Sequence, residues 1–183
     1  MIRFDVAGSP APKGSARAVS RGGRGVLVPS GSPVNAAKLA SWKGEVVAAA
    51  QRAARATPWF DPVAIAVVFR FPARKGDLDS KGRPKARASA YVAVKPDVDK
   101  LLRSTFDALT AAGSVWGDDA LAAVSFASRV YVAPGEWHGA TIFIGAAEPA
   151  DARDPFDDNA IDIVDGALQE TRRLVSLWNE AKR

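Results

Sequence analysis

The sequence predicts an α+β fold: a two-layer sandwich of a mixed sheet with helices on one face, ordered β-α-β-α-β-β, plus an extra C-terminal helix. The order follows from segments of strand-like periodicity that alternate with segments of helical periodicity. Composition agrees with it, because 183 residues with 48% hydrophobic and 25% charged side chains are typical of one globular domain.

The first third of the chain predicts a strand, a loop and a helix. Residues 2–8 alternate apolar and polar side chains, which is typical of a half-buried strand. Residues 15–33 are rich in Gly, Ser and Arg and predict a mobile basic loop. Residues 35–56 are Ala-rich and repeat apolar side chains at helical spacing, so they predict the first helix.

The middle of the chain predicts a central strand and a second helix. Residues 63–72, VAIAVVFRFP, are β-branched and aromatic and indicate a strand, whereas the polar residues 73–94 predict a loop. An apolar stripe at helical spacing then begins at Asp97, directly after Pro96. Gly113 predicts the end of this helix.

The last part of the chain predicts two more strands and an appended helix. The strands lie near residues 120–132 and 140–145, joined by a turn. The composition then becomes acidic before an amphipathic helical pattern. We therefore divide the chain into a domain of residues 1–147 and an acidic linker with a C-terminal helix, residues 148–183, whose packing partner is not predicted.

Composition excludes several kinds of chemistry. The chain has no Cys and a single His, His138, which removes disulfides, thiolate catalysis, Cys-rich zinc sites and any mechanism with two imidazoles. No apolar run reaches the length of a signal peptide or a transmembrane helix, so we expect a cytoplasmic protein.

The basic residues are concentrated in the first half of the chain. Residues 1–60 carry nine Lys and Arg against two acids, which indicates a polyanionic partner such as DNA, although a solvated surface explains the charge equally well. The predicted DNA contacts from the two Gly/Pro-rich loops and from the segment around Pro96 are Lys13, Arg17, Arg21, Arg24, Lys81, Arg83, Lys85, Arg87, Lys95 and Lys100.

Asp97 and Asp99 stand at the start of the second helix. The simplest interpretation of Asp97 is an N-cap, whose carboxylate accepts the free amides of the first turn. An N-cap residue has non-helical torsions, however, so the two side chains can instead converge into one oxygen-rich corner. Both interpretations stay open on the sequence alone.

Asp118 and Asp119 stand at the start of a predicted strand, where a pair of turn acids is common. If this strand start meets the helix start at one sheet edge, Asp97, Asp99 and Asp119 form a cluster with Asp118 beside it. A hard cation such as Mg²⁺ relieves the repulsion between such carboxylates and also engages phosphate. The pattern therefore predicts metal-dependent phosphodiester hydrolysis.

Arg103 lies one helical turn beyond Asp99 and one turn before Asp107. These three residues can form a surface ladder of little energetic weight, or Arg103 can face the phosphate, and spacing does not decide between the two. The earlier Asp77 and Asp79 lie in a Gly/Lys/Pro-rich loop and are interpreted as solvated turn acids.

The segment KPDVDKLLRSTFDAL, followed by AAG, VW and DD, resembles the signature of the RusA family of Holliday junction resolvases. The N-terminal FDVAGSPAPKGSAR resembles that family's opening strand and Pro-Lys-Gly turn, and the resemblance covers residues 2–147. It implies a homodimeric, Mg²⁺-dependent endonuclease that cuts four-way DNA junctions, in a family often encoded by phages and prophages. By position, the family's essential acids are Asp97, Asp99 and Asp119, and its functional Lys is Arg103.

Two positions depart from the family pattern. The family's Asn after the second Asp is Lys100 here, and Arg103 keeps the charge of the family's Lys but presents a planar fork. Two alternatives to an active junction endonuclease therefore stay open: a junction-binding protein of the same fold with weak or no catalysis, and a Mg²⁺-dependent nucleotide phosphohydrolase.

Overall fold

The computed structural model describes residues 1–14, 16–29, 32–53, 58–147 and 159–183. Its strands are β1 (Ile2–Ala7), β2 (Ala16–Arg21), β3 (Arg24–Pro29), β4 (Val63–Pro72), β5 (Ala122–Val132) and β6 (Gly139–Ala146), and its helices are α1 (Pro33–Ala53), α2 (Val98–Ala112) and α3 (Asn159–Glu180). Among these helices, none is long and apolar enough to cross a membrane.

Four strands form the mixed sheet that the sequence predicts, in the spatial order β1-β6-β4-β5. β4 pairs parallel with β5 and antiparallel with β6, and β1 pairs antiparallel with β6. The parallel pair requires a crossover between β4 and β5, and α2 lies in that connection.

Residues 16–29 form a β-hairpin where the sequence analysis expects a mobile basic loop, so that expectation is wrong. β2 and β3 pair antiparallel, with the backbone of Arg21 opposite that of Arg24. Between them, Gly22 and Gly23 have φ angles of 57° and 76°. Two-residue hairpin turns require this left-handed conformation, which glycine adopts without steric cost, and the Gly-Gly pair was the local signal.

One face of the sheet is covered by α1 and α2, as predicted. The odd-numbered residues of β4, such as Ile65 and Phe69, face this layer. These two are fully buried in the same hydrophobic cluster as Trp42 of α1 and Leu101 of α2. α1 and α2 also pack against each other, which makes them one helical layer. The prediction of a sheet with helices on one face is confirmed for these two elements.

The opposite face is covered by α3, which supplies the partner surface that the sequence left open. The other alternate residues of β4, including Ala64 and Ala66, are buried together with Ile163 and Leu174 of α3. Small side chains let the helix approach closely: a Cβ atom added to Gly166 would lie 3.2 Å from the Phe143 ring. The predicted acidic linker, residues 148–158, lies outside the described residues.

A buried guanidinium fastens α3 to the sheet. Arg70, near the end of β4, is 1% exposed and stacks with its Cζ 3.8 Å from the centre of the Trp137 ring. Its Nη2 donates to Glu170 Oε1 of α3 at 2.6 Å and to Thr141 Oγ1 at 2.5 Å. Burial alone would raise the pKa of Glu170, but the hydrogen bond from Arg173 and the charge of Arg70 outweigh it and hold that pKa below its ordinary value.

Substitution Glu170→Gln should lower the free energy of unfolding by about 3 kcal/mol at pH 7, because it removes the nearer carboxylate of the buried Arg70 charge and leaves only Asp5, whose Oδ1 lies 3.9 Å from Arg70 Nη2. Urea denaturation measures the loss. Because the folded pKa of Glu170 is depressed, the carboxylate stabilises the fold above its unfolded pKa of about 4.3. The difference between wild type and variant should therefore disappear as the pH falls through the folded pKa.

The matched control is Glu45→Gln, at an exposed position on α1. It should change the stability by no more than about 0.5 kcal/mol. A Glu170→Gln loss as small as that of the control would contradict the assigned role of the Arg70–Glu170 pair.

Candidate functional site

The two acids that open α2 are both exposed. Asp97 is the residue before the helix and has extended torsions, but its side chain makes no capping hydrogen bond. Its Oδ2 instead lies 3.2 Å from the Nζ of Lys100. Of the two interpretations that the sequence left open for Asp97, the one in which its carboxylate accepts the first-turn amides therefore does not hold, although the residue occupies the N-cap position.

The turn that carries Asp97 is held by the edge strand β5. The backbone N–H of Val92 donates to the Arg129 carbonyl at 3.1 Å, so the chain before α2 runs beside β5. The Arg129 Nη1 then donates to the carbonyl of Val94 at 2.9 Å and to the carbonyl of Pro96. Because these carbonyls immediately precede Asp97, Arg129 fixes the position of the acid-bearing turn.

The Pro-Lys-Gly turn also docks on α2. The backbone N–H of Lys13 donates to the Lys100 carbonyl at 3.0 Å, and the Ser104 hydroxyl donates to the Ala11 carbonyl at 2.7 Å. Ser104 is fully buried, so this hydrogen bond lies in the protein core. The N-terminal turn and the start of α2 are thereby fixed relative to each other.

Asp107 forms ion pairs with two lysines from other elements instead of a ladder along α2. The Nζ atoms of Lys13 and Lys43 each lie 2.9 Å from Asp107 Oδ2. Burial alone would raise the pKa of Asp107, but the hydrogen bonds from both lysines outweigh it and hold that pKa below its ordinary value. Arg103 is exposed and makes no ion pair with any described residue, so the Asp99–Arg103–Asp107 ladder does not form.

Asp118 and Asp119 lie at the 3-10 turn Asp119–Leu121, which contacts α2. Asp118 Oδ1 accepts the backbone N–H of Ala120 at 2.8 Å and so caps this turn. Asp119 is exposed. Trp116, fully buried just before the two acids, donates from Nε1 to Thr110 Oγ1 at 2.9 Å and so ties this segment to α2.

The donor chemistry of these acids fits a hard cation. The side-chain carboxylates of Asp99 and Asp119 make no hydrogen bond or ion pair with another described residue, so their oxygens are available, whereas one oxygen of Asp97 faces Lys100. Within the described residues, no three His, Cys, Asp or Glu side chains converge in an arrangement that could hold a metal ion. The convergence of Asp97, Asp99 and Asp119 stays a prediction.

A cleft of about 1000 Å³ opens beside Asp97. Its walls are the Pro-Lys-Gly turn, the start of α1 and the segment that leads into α2. The charged residues that line it are Lys13, Lys38, Lys95, Lys100 and Asp97. Lys38 was not among the predicted DNA contacts. The apolar repeat of α1 indicates which of its side chains face the core, but it does not indicate which distant segment lies beside its polar face.

The other predicted DNA contacts lie elsewhere. The side chains of Arg17 and Arg21 are outside the described part of the chain, and Arg24 is exposed on the hairpin. Lys81, Arg83, Lys85 and Arg87 are exposed in the 73–94 loop, and none of them lines the cleft.

This second loop is organised partly by its own acids. Asp79 Oδ1 accepts the backbone N–H groups of Lys81 and Arg83, at 2.8 Å and 2.9 Å, and Asp77 Oδ2 accepts a hydrogen bond from Arg74 Nε at 2.7 Å. The turn placement predicted for Asp77 and Asp79 is confirmed, but both side chains are partly buried and ion-paired rather than solvated.

A mixed α+β sheet with exposed carboxylates beside a lysine-lined cleft defines a protein suited to a phosphate-rich substrate. The sequence matches the family model described as Endodeoxyribonuclease RusA over residues 7–136. The chain belongs to the RusA endodeoxyribonuclease family, which confirms the resemblance. The matched range contains the Pro-Lys-Gly turn and all four predicted acids of the site, but not α3. No curated protein sequence matches the chain significantly.

Proposed function

We propose that this protein is a Mg²⁺-dependent, structure-selective endonuclease that resolves four-way DNA junctions by phosphodiester hydrolysis. The observation that carries the proposal is Asp97 in the wall of a cleft whose described lining includes four lysines, with the exposed Asp99 two residues further on, inside the range matched by the RusA family. Acids suited to a cation and lysines suited to phosphates therefore lie side by side.

Each acid has a role in this proposal. Asp97, Asp99 and Asp119 hold the ion, and Asp118 supports them by capping the turn on which Asp119 lies, with its second oxygen left for the cation. Mg²⁺ held by these acids would supply Lewis-acid chemistry: it would polarise the scissile phosphate and lower the pKa of a water molecule. Arg129 keeps the Asp97 turn in place through the carbonyls of Val94 and Pro96.

Arg103 supplies a fixed positive charge to the phosphate in this proposal. It is exposed, lies one turn after Asp99, and has no described acid as an ion-pair partner, so its guanidinium is free to meet an anion. A cation at this point stabilises the negative charge that develops on the phosphoryl oxygens in the transition state.

A junction-binding protein with weak catalysis is the second candidate function. The observation that favours it is the 3.2 Å contact between Lys100 and Asp97, because the ammonium group competes with a metal ion for one carboxylate. A labelled four-way junction, incubated with Mg²⁺ or with EDTA, separates the two candidates: cutting that requires Mg²⁺ supports the endonuclease, and binding without cutting supports the binding protein.

Substitution Asp99→Asn should lower junction cleavage by roughly a thousandfold or more, since it removes a ligand charge of the metal. Junction binding should stay equal or become tighter, because a negative charge near the phosphates is lost. Single-turnover cleavage and gel-shift titration measure the two effects.

The control for this substitution is Asp61→Asn, at an exposed position outside the site. It should cleave like the wild type. Full activity of Asp99→Asn, or of the wild type in EDTA, would remove the acid from its proposed role.

Arg103→Ala should lower the cleavage rate by about 100-fold or more while the stability stays within about 0.5 kcal/mol. Arg103→Lys should keep substantial activity, because both side chains are cationic at neutral pH. The matched control Arg172→Ala lies at an exposed position on α3, across the sheet. If Arg103→Ala cleaves like Arg172→Ala, Arg103 has no part in the reaction.

The proposed assembly is a symmetric homodimer. Resolving a junction requires two strand cuts, and one chain supplies one set of the predicted acids, so a two-fold axis provides the second site. Sedimentation equilibrium at micromolar protein should give twice the chain mass of 19.3 kDa. A strict monomer that still resolves junctions would contradict this arrangement.

A further inference from the structure

We propose that the cleft beside Asp97 binds one unpaired nucleotide of the DNA strand that is cut, next to the scissile phosphate. The inference rests on the proposed endonuclease function and adds the form of DNA that the site accepts. Its grounds are the shape of the cleft, the apolar character of its floor and the distribution of paired and unpaired lysines around its rim.

The cleft suits a nucleotide rather than a duplex. Its apolar lining consists mainly of Pro10, Ala11, Pro12, Ala36 and Leu39. A sugar–phosphate backbone gains little from such a surface, whereas the faces of a base gain from burial against it. A duplex keeps its base faces stacked inside the helix and is too broad for a cavity of about 1000 Å³. Only an unpaired base can use the floor.

The lysines of the rim divide into two that have a counter-ion and two that do not. Lys13 pairs with Asp107, and Lys100 pairs with Asp97. Lys38 and Lys95 are exposed and make no ion pair with a described residue. We assign these two ammonium groups to the phosphates on either side of the bound nucleotide.

Polar groups on α1 complete the cleft. The Asn35 amide and the Ser41 hydroxyl line it, and neither side chain donates to or accepts from another described residue. They are available to the polar edge of a base, which must find partners once it leaves its base pair. No aromatic side chain of the described residues lines the cleft, so base binding depends on the apolar floor and these polar groups rather than on stacking.

A nucleotide-binding cleft next to the acids provides a source of structure selectivity. Removing a base from a duplex requires free energy for unpairing and unstacking, and this cost is smallest where the base is already unpaired or poorly stacked. Branch points offer such bases, whereas a continuous duplex does not. The cleft should therefore favour cutting at branch points.

The test places 2-aminopurine, whose emission rises when it leaves a base stack, at the branch point of a four-way junction. Binding is measured in EDTA, so that cleavage does not contribute. Wild-type protein should raise the emission, and Ala36→Trp, which fills the cleft, should abolish the rise and weaken junction binding roughly tenfold, near the lower end of the range for protein–base contacts.

The matched control is Ala37→Trp, on the neighbouring exposed position of α1, which does not line the cleft. It should raise the emission like the wild type. If Ala36→Trp and Ala37→Trp give the same emission and affinity, the cleft does not hold the base and the proposal is overturned.

The phosphate contacts have a separate readout. Lys38→Gln and Lys95→Gln should each reduce the slope of log K against log salt concentration by about one, as expected for one lost phosphate contact. Lys182→Gln, beyond the end of α3, should leave the slope unchanged. An unchanged slope in both cleft variants would contradict the lysine assignment, and equal circular-dichroism melting curves confirm that all variants fold.

Failure of this inference is distinguishable from failure of the endonuclease proposal. A probe that responds as expected, without Mg²⁺-dependent cleavage, supports the cleft and contradicts the catalytic function. Normal Mg²⁺-dependent cleavage with a probe that remains stacked in the wild-type complex overturns the cleft and leaves the catalytic function standing.

Discussion

Burial of β4 on both faces is the constraint that the rest of the structure depends on. Its residues from Val63 to Arg70 are almost completely inaccessible to solvent, so the strand requires a helical layer above and below the sheet. One layer is α1 with α2, and the other is α3. Helix α3 is therefore part of the hydrophobic core, because without it the even-numbered side chains of β4, such as Ala64 and Ala66, would face water.

The site follows from the same packing. α2 buries Leu101 and Leu109 against the sheet, and this fixes its axis and places its N-terminal turn at the sheet edge. Two polar contacts then set the ends of the acid-bearing segment: Arg129 holds the carbonyls before Asp97, and the backbone of Lys13 holds the Lys100 carbonyl. Because the backbone is held from both sides, the Asp97 and Asp99 side chains can remain in solvent without loosening the fold.

Local patterns predicted the parts of the structure that local forces determine. The β-branched run of β4 predicted its strand, and Pro96 with Gly113 predicted both ends of α2, the latter with a left-handed φ of 63°. The hairpin was not predicted, because a composition rich in Gly, Ser and Arg is also typical of loops. The pair Gly22 and Gly23 is nevertheless a local signal of a hairpin turn.

Contacts between distant segments were beyond the reach of the sequence. The spacing of Arg103 and Asp107 on one helix suggested an ion pair, but lysines 94 and 64 residues away in sequence, Lys13 and Lys43, occupy that carboxylate. Lys38 enters the cleft only because α1 packs beside α2. Tertiary packing decides which cation pairs with a carboxylate, and the spacing of residues along one helix does not show it.

The charged residues without an ion-pair partner lie in two groups, acids and cations, which can orient a bound DNA strand. Within the described residues, Lys100 pairs with Asp97, and Lys13 shares Asp107 with Lys43, whereas Asp99 and Asp119 have no cationic partner and Lys38, Lys95 and Arg103 have no acidic one. Under the proposed function, the DNA backbone is drawn toward the free lysines and the metal toward the free acids, so one strand can lie across the site in a single orientation.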